Sequence, residues 1–352
     1  MTRLEINRPT TDESEVVGQR STEIQPENPN IGALGSAGYQ QDSLRVKGFC
    51  AEIIHDADVY LHHLATRVLP VLTDNPTATR IIDRAIMKRG LTVPTEGLSV
   101  PLQREVVVPL GGEWEGYDWV MTGAHMPGRR LSEGTKTALV DLANQAAQLS
   151  YEAPKALPPG FSMERITAEN VTLTDLETLA AIFGAAFKTY ISPLSTPADV
   201  QAWVSSEGIF PVVVRNERGR IVAIANGDMG EIMISGKPFK FLEIGDSAAD
   251  TQYQMLGLNR NIKHHIIGQA IGMGFHSVHT ETRAAWGSPN FGNAKNGMDY
   301  RGTLFLNCMI SGEEEVAETQ DPEIDESSRV MGSLNVWAMT EANPHWKRYT
   351  EN

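Results

Sequence analysis

The chain has little cysteine, few aromatic side chains, a shortage of positive charge and no long hydrophobic run. Two cysteines, Cys50 and Cys308, are too few for a disulfide framework, so a reducing compartment, the cytoplasm, is the expected location. No stretch approaches the ~20 apolar residues that a membrane helix needs, and no membrane partner is expected. The opening segment, MTRLEINRPTTDESEVV, contains no apolar signal core. Lys and Arg number 30 against 44 Asp and Glu, a formal charge of -14. That field repels a phosphate backbone, so nucleic acid is not an expected partner either.

What is present is enough for a core. Hydrophobic residues make up 41% of 352 residues and charged ones 21%, which excludes wholesale disorder. At this length, two domains or one long elaborated domain are expected. Residues 1–45 are polar and turn-rich, without a sustained period of 2 or 3.6, and read as a flexible tail. The alternative is an arm that wraps a second copy of the chain, giving a homo-oligomer.

Ordered sequence begins near Phe49. FCAEIIHDADVYLHHL carries two strand-like runs around the turn-forming segment from His55 to Asp58. TDNPTATRIIDRAIMKRGL reads as a helix capped by Thr73 or Asp74, with Ile81, Ile82, Ala85 and Ile86 as its apolar face and Gly90 as its stop. REVVVPL and YDWVMTGA read as strands, and SEGTKTALVDLANQAAQLS as a helix. The proline-rich YEAPKALPPGFS then divides an N-terminal domain, 46–153, from a C-terminal one, 154–352.

The second half reads β-α-α-β-β-β-α-β-α-β-β, which is mixed α/β. Its first helix, TDLETLAAIFGAAFKTYI, is capped at Thr174 or Asp175, and a hairpin turns at Asn216 to Gly219. The strand FKFLEIGDSAA leads into the long helix GLNRNIKHHIIGQAIGMG. Residues 313–328, EEEVAETQDPEIDESS, hold eight acids and no base, and read as a solvated acidic insertion.

The junction after Glu243 is the most suggestive place for chemistry. EIGDSAADTQYQMLGLN ends a strand and enters a helix through a glycine-containing turn. The free amides and positive dipole end of a helix start make an anion site suited to a pyrophosphate. Glu243 and Asp246 are three residues apart on one strand, so they face opposite ways unless a bulge intervenes. The histidine groups, His55, His62 and His63, and His264 with His265, lack further ligands at metal spacing, and no metal is expected. Cys308 alternates with apolar residues on a strand and reads as core.

The element order and the Gln252-x-x-Met255-x-Gly257 turn resemble the GNAT N-acetyltransferase fold, a mixed, mostly antiparallel sheet flanked by helices. The closer resemblance is to the beta-lysine N-acetyltransferases, over about residues 49 to 340. It is carried by REVVVPLGGEWEGYDWVM, GDMGEIMISGKPFKFLEIGDSAA, YRGTLFLNCMISG and SLNVWAM, and by the spacing from Asn290 to Gly297. The N-terminal half then reads as a related, degenerate copy.

This resemblance implies acetyl-CoA as donor and the amine of a lysine-like small molecule as acceptor; direct attack in a ternary complex fits better than a covalent enzyme, because no cysteine lies at the proposed site. It places the pantetheine arm on Ser247, Ala248 and Ala249, and the pyrophosphate on the turn through Gln252, Gln254, Met255, Gly257 and Leu258. Asn290 is implied to touch the CoA, although it could equally be a helix cap. Amine acylation needs a base and a proton donor for the leaving thiolate. Glu243 is favoured over Asp246 as base, and Tyr300 is the implied acid; Glu281, on the strand next to the fourth, is a candidate to bind the substrate ammonium, the alternative being a surface carboxylate. One departure stands out: Met255 occupies the usual glycine position, where its side chain is expected to crowd a phosphate. With the acidic insertion and the tail, it motivates an alternative, a non-catalytic binding protein on a degenerate fold.

Overall fold

Asp56 begins a helix in this protein, not a hairpin. Its carboxylate accepts from the amides of Asp58 and Val59, capping α1 (Ala57–His63) directly after β2 (Arg45–Ile54), so the run VYLHHL is helical. A π-helical turn over 64–68 and α2 (Leu69–Asp74) continue it. The expected helix over 73–91 is also corrected, because Arg80–Lys88 forms strand β3. Every residue of β3 but the last is buried. Ile82, Arg84 and Ile86 face one way, while Ile81, Asp83, Ala85 and Met87 pack toward α1 and α2. A strand covered on both faces shows no alternation, and its apolar spacing mimics a helix.

This computed structural model describes residues 37–40, 45–78, 80–92, 102–125, 131–187, 194–234, 237–309 and 331–350. Most of the N-terminal tail and the acidic insertion at 313–328 lie outside them. Ala37–Gln40, counted with the tail, is strand β1 and pairs antiparallel with β2. The remaining elements of the first half are β4 (Gln103–Pro109), β5 (Tyr117–His125) and α3 (Glu133–Ala147), as expected.

The second half follows the order read from the sequence. It comprises β6 (Ser162–Arg165), α4 (Leu173–Ala186), α5 (Pro197–Val204), β7 (Ile209–Arg215), β8 (Ile221–Ile234) and β9 (Lys237–Ala249). Then come α6 (Leu258–Gly272), β10 (Ser277–Arg283), α7 (Gly287–Lys295), β11 (Asp299–Met309), β12 (Met331–Thr340) and a short α8 (Trp346–Thr350). Thr172, not Thr174 or Asp175, caps α4, and Asp175 closes the capping box from the N3 position.

All the strands join one mixed, largely antiparallel sheet of order β1-β2-β3-β5-β4-β11-β12-β10-β9-β8-β7-β6. Among the described strands, only β2 with β3 and β9 with β10 run parallel. The halves meet where Gly302 of β11 pairs with Val106 of β4. Gly302 has φ +145, and a Cβ there would lie 2.0 Å from the Glu105 carbonyl oxygen, so glycine permits the seam.

The sheet bends back on itself, bringing β2 up to β8. Between the facing arms lies an apolar layer that includes Ile82, Trp119, Met121, Phe239, Phe241, Leu304 and Val336. Helices cover the faces that the two arms do not cover for each other. α1 and α2 cover the first arm, α6 covers β7 to β9 and β12, and α4 with α5 covers the other face of β7 and β8. No helix among the described residues is long and apolar enough to cross a membrane.

Candidate active site

β9 and β10 run parallel only while Phe241, Leu242 and Glu243 face Ser277, Val278 and His279. Beyond that they part: β10 stays with β12 to Arg283, and β9 stays with β8 to Ala249. Thr280 donates its hydroxyl to the Ile244 carbonyl, 2.7 Å away, at the fork. The edge of β9 that faces β10 from Gly245 onward is therefore not paired with that strand. Ser247 and Ala249 on it are partly exposed and Ala248 is buried against α4 and α5.

A bulge shapes the same stretch. Gly245 and Ala248 pair with Asn226 and Ile224, leaving an extra residue on β9, and Asp246 takes φ 45. The bulge thus begins at Asp246 itself, after the regular pairing of Glu243 to Gly245. Asp246 is buried at it, and the strand changes the face it presents between Gly245 and Ala248.

The chain then turns through Asp250 to Leu258 into α6. Asp250 caps a short 3-10 turn over Thr251–Tyr253, while Gln252 and Gln254 are exposed. Met255 (φ 71) and Gly257 (φ 74) both adopt left-handed backbone. The N-cap of α6 is Gly257, which offers no side chain to the first-turn amides, so those amides remain suited to an anion. Met255 is 99% exposed, so its side chain stands in solvent. Leu258 is buried and anchors the helix start.

On the face between the two arms, Glu243 and Glu281 are brought together by a residue of the first half. Arg84 of β3 donates to Glu281 Oε1 at 2.6 Å and to Glu243 Oε2 at 3.4 Å. His279 Nε2 lies 3.4 Å from the same Glu243 oxygen, and its ring packs edge-on to Trp119 at 4.6 Å. Burial alone would raise the Glu243 carboxyl, but the Arg84 charge and the adjoining His279 ring hold it well below the usual carboxylate range.

The same interior holds Arg45 and Lys47 of β2. Arg45 donates to the Asn307 carbonyl at 2.9 Å, and the Asn307 amide donates to Glu281 at 3.3 Å. Burial, then the neighbouring Arg84 charge, push the Lys47 ammonium down to about 7 against the pull of Glu243. Nearby, Arg80 pairs with Glu105 and contacts His125, and Gly123 leaves room for Glu105, whose carboxyl carbon would lie 2.6 Å from a Cβ there.

Tyr300 and Asn290 lie on the other face. Tyr300, Trp337 and Thr280 form a cross-strand row, and Thr280 and His279 alternate along β10, so Tyr300 and Glu243 are on opposite sides of the sheet. The Tyr300 hydroxyl lies 2.5 Å from Thr303 Oγ1, and burial pushes its pKa up, the Thr303 hydrogen bond acting against it. Asn290 is fully buried and donates to the carbonyls of Arg283 (2.9 Å) and Trp286 (2.6 Å). Its oxygen accepts from Asn335 and Trp337. Both amide hydrogens and both lone pairs are used, so the CoA contact implied for Asn290 would require one of these bonds to break. Asn290 instead ties the β10–α7 turn to β12, and it is not the cap of α7, a position held by Trp286.

Arg45, Lys47, Arg84 and His279 were not singled out in the sequence. The available signal was the alternation of Arg45, Val46 and Lys47, which marks a strand with one charged face. Arg84 gave none, because it sat on what read as the polar face of a helix.

No protein-family model and no curated protein matches the chain. Among solved structures, a ribosomal-protein-alanine N-acetyltransferase from Brucella melitensis aligns at TM-score 0.37 and 17% identity, covering 51% of this chain and 99% of that one. A spermidine N-acetyltransferase variant from Vibrio cholerae aligns at TM-score 0.40 and 8% identity, covering 55% and 98%. A GNAT-family acetyltransferase from Streptococcus pneumoniae aligns at TM-score 0.38 and 11% identity, covering 51% and 99%.

Proposed function

We propose that the protein is an acyl-CoA-dependent N-acyltransferase that moves an acetyl group to the amine of a lysine-like amino acid. The observation that carries this reading is the fork between β9 and β10, which lies next to a helix start without a side-chain cap. The edge of β9 that parts from β10 beyond Glu243, at Gly245 and from Ser247 to Ala249, offers backbone donors and acceptors to an extended amide-bearing arm. The α6 amides and dipole suit a pyrophosphate at the end of that arm. These are the two chemical needs of a CoA thioester, and the residues present fit them.

The thioester supplies an activated acyl carbon, and the chain's own residues do the rest. Glu243 and Glu281, beside Arg84, attract an ammonium into the interior on one face of the fork. Arg45 and Arg84 are placed to meet a carboxylate on the same acceptor, which favours an amino acid over a simple amine. On the opposite face, Tyr300 has a phenol kept protonated by burial, as a proton donor to a leaving thiolate must be. The acceptor amine attacks the acyl carbon directly, the C–N bond forming as the C–S bond breaks.

Release of free thiol from acetyl-CoA, measured against a panel of diamino acids, tests the reading. Turnover with a diamino acid that exceeds turnover with the matching diamine supports it. Absence of thiol release with every acceptor overturns it.

A further inference from the structure

We propose that Lys263 of α6 donates to an oxygen acceptor of the CoA thioester in the fork, an inference that rests on the acyltransferase reading above. Lys263 lies on the inner face of α6, next to Ile262 and one turn before Ile266 and Ile267, all of them buried. It is itself only 8% exposed. A lysine among isoleucines on a packed helix face costs stability unless an anion or several acceptors answer its ammonium. Here one acceptor does: Nζ donates to Asn293 Oδ1 of α7 at 3.0 Å. Among the described residues no carboxylate pairs with this ammonium, which carries three donors. Burial pushes its pKa down to about 8, so the group is still mainly cationic at neutral pH.

The position of the ammonium follows from its partner. The Asn293 amide nitrogen donates to Thr282 Oγ1 at 2.8 Å, and lysine can only donate, so the Asn293 oxygen must face Lys263. Thr282 is on β10, two residues beyond Thr280 and on the same face of the sheet. It lies past the point where β9 and β10 stop pairing. α6 itself runs back over the β9 prong, in one apolar cluster with Leu242, Ile244 and Ala249. The Lys263 side chain thus leaves a helix seated on one prong and meets a hydrogen-bonded pair seated on the other. It crosses the open part of the fork, on the face that carries α6 and α7.

That crossing sets the ligand chemistry. Lys263 is five residues past Leu258, roughly 7.5 Å along the axis from the helix start at 1.5 Å per residue. Helical side chains lean back toward the N-terminus, so the ammonium lies between the phosphate end and the thioester end of an arm bound along β9. Such an arm offers amide carbonyl oxygens and, nearer the α6 amides, phosphate oxygens. Either accepts a charge-assisted hydrogen bond, and the bond fixes how far the arm enters the fork. A cationic or wholly apolar ligand would leave the Lys263 donors unanswered.

Calorimetric titration of acetyl-CoA into the full chain, paired with urea unfolding of each unliganded protein, tests this. Lys263→Gln keeps a donor for Asn293 Oδ1 but removes the charge, and its affinity is expected to fall about 10–100-fold. Asn293→Asp gives the ammonium a carboxylate of the protein's own, to which Thr282 can donate. That variant is expected to unfold at higher urea than the native protein, yet to bind acetyl-CoA more weakly. A purely structural Lys263 predicts the opposite pairing: a lower urea midpoint in Lys263→Gln, with affinity unchanged in both variants. S-acetylpantetheine, which lacks the pyrophosphate, identifies the oxygen. A loss in Lys263→Gln that it shares assigns the contact to an amide carbonyl, and a loss confined to acetyl-CoA assigns it to a phosphate. Unchanged acetyl-CoA affinity in folded Lys263→Gln overturns the inference and leaves the acyltransferase reading intact. Where that variant does not fold, unchanged affinity in Asn293→Asp overturns it in the same way. A native protein that does not bind acetyl-CoA overturns both.

Discussion

Arg84 Nη2 lies 2.6 Å from Glu281 Oε1, and the two residues sit on β3 and β10, strands of opposite arms of the bent sheet. This bond, with the weaker one to Glu243, fastens the first half of the chain across the interior of the second. Both residues are nearly excluded from water, so the pair is a fixed element of the fold and not a surface contact.

Removing one member should therefore be severe. Arg84→Met leaves Glu243 and Glu281 facing each other without their shared cation, and a loss of about 3–5 kcal/mol is expected. Urea unfolding measures it. The triple variant with Glu243→Gln and Glu281→Gln should recover only part of that loss, since Arg45 and Lys47 stay buried without those carboxylates.

Met255→Gly should behave in the opposite direction. The left-handed backbone at φ 71 strains a side-chain-bearing residue by roughly 1–2 kcal/mol, and glycine's added freedom in the unfolded chain returns roughly 0.5–1 kcal/mol of that. A net gain of about 0.5–1 kcal/mol is expected in thermal or urea unfolding. Because the Met255 side chain is in solvent, affinity for acetyl-CoA in calorimetry should change little.

His63 gives the stability a pH dependence. Burial would lower its pKa, but hydrogen bonds to Asp83 and Cys50, and the Asp83 charge, raise it to about 10. Its Nε2 lies 3.0 Å from Asp83 Oδ1. The folded value lies above the reference of roughly 6.5, so its stabilisation is complete below about pH 6.5 and is lost as pH rises toward 10. Urea midpoints of the native protein and His63→Gln, compared at pH 6, 8 and 10, should converge as pH rises. A constant gap would contradict this.

The second half of the fold was legible because its strands and helices obey simple periods and carry their own punctuation. Thr196 with Pro197 starts α5, and the turn at Asn216 to Gly219 closes the β7–β8 hairpin. The first half was less legible for one physical reason. β3 is buried on both faces and carries Arg80, Asp83 and Arg84 inside, so neither alternation nor polarity marks it as a strand. The site divided the same way. Glu243 and Glu281 could be named from their strands, but the cations that set their chemistry come from β2 and β3, distant in sequence and joined only when the sheet bends. Asn290 was named for a ligand, yet its amide is consumed in holding a turn. Tyr300 and Glu243 were named together, yet they occupy opposite faces, a relation that depends on strand order and not on spacing.

The central claim is that the fork between β9 and β10 and the start of α6 hold a CoA thioester. Amide hydrogen exchange of the full chain, with and without acetyl-CoA, tests it most directly. The account predicts slowed exchange in peptides spanning Gly245–Ala249 and Met255–Arg260, with the β1–β2 edge unaffected. Exchange in those two segments that is unchanged by saturating acetyl-CoA would contradict it.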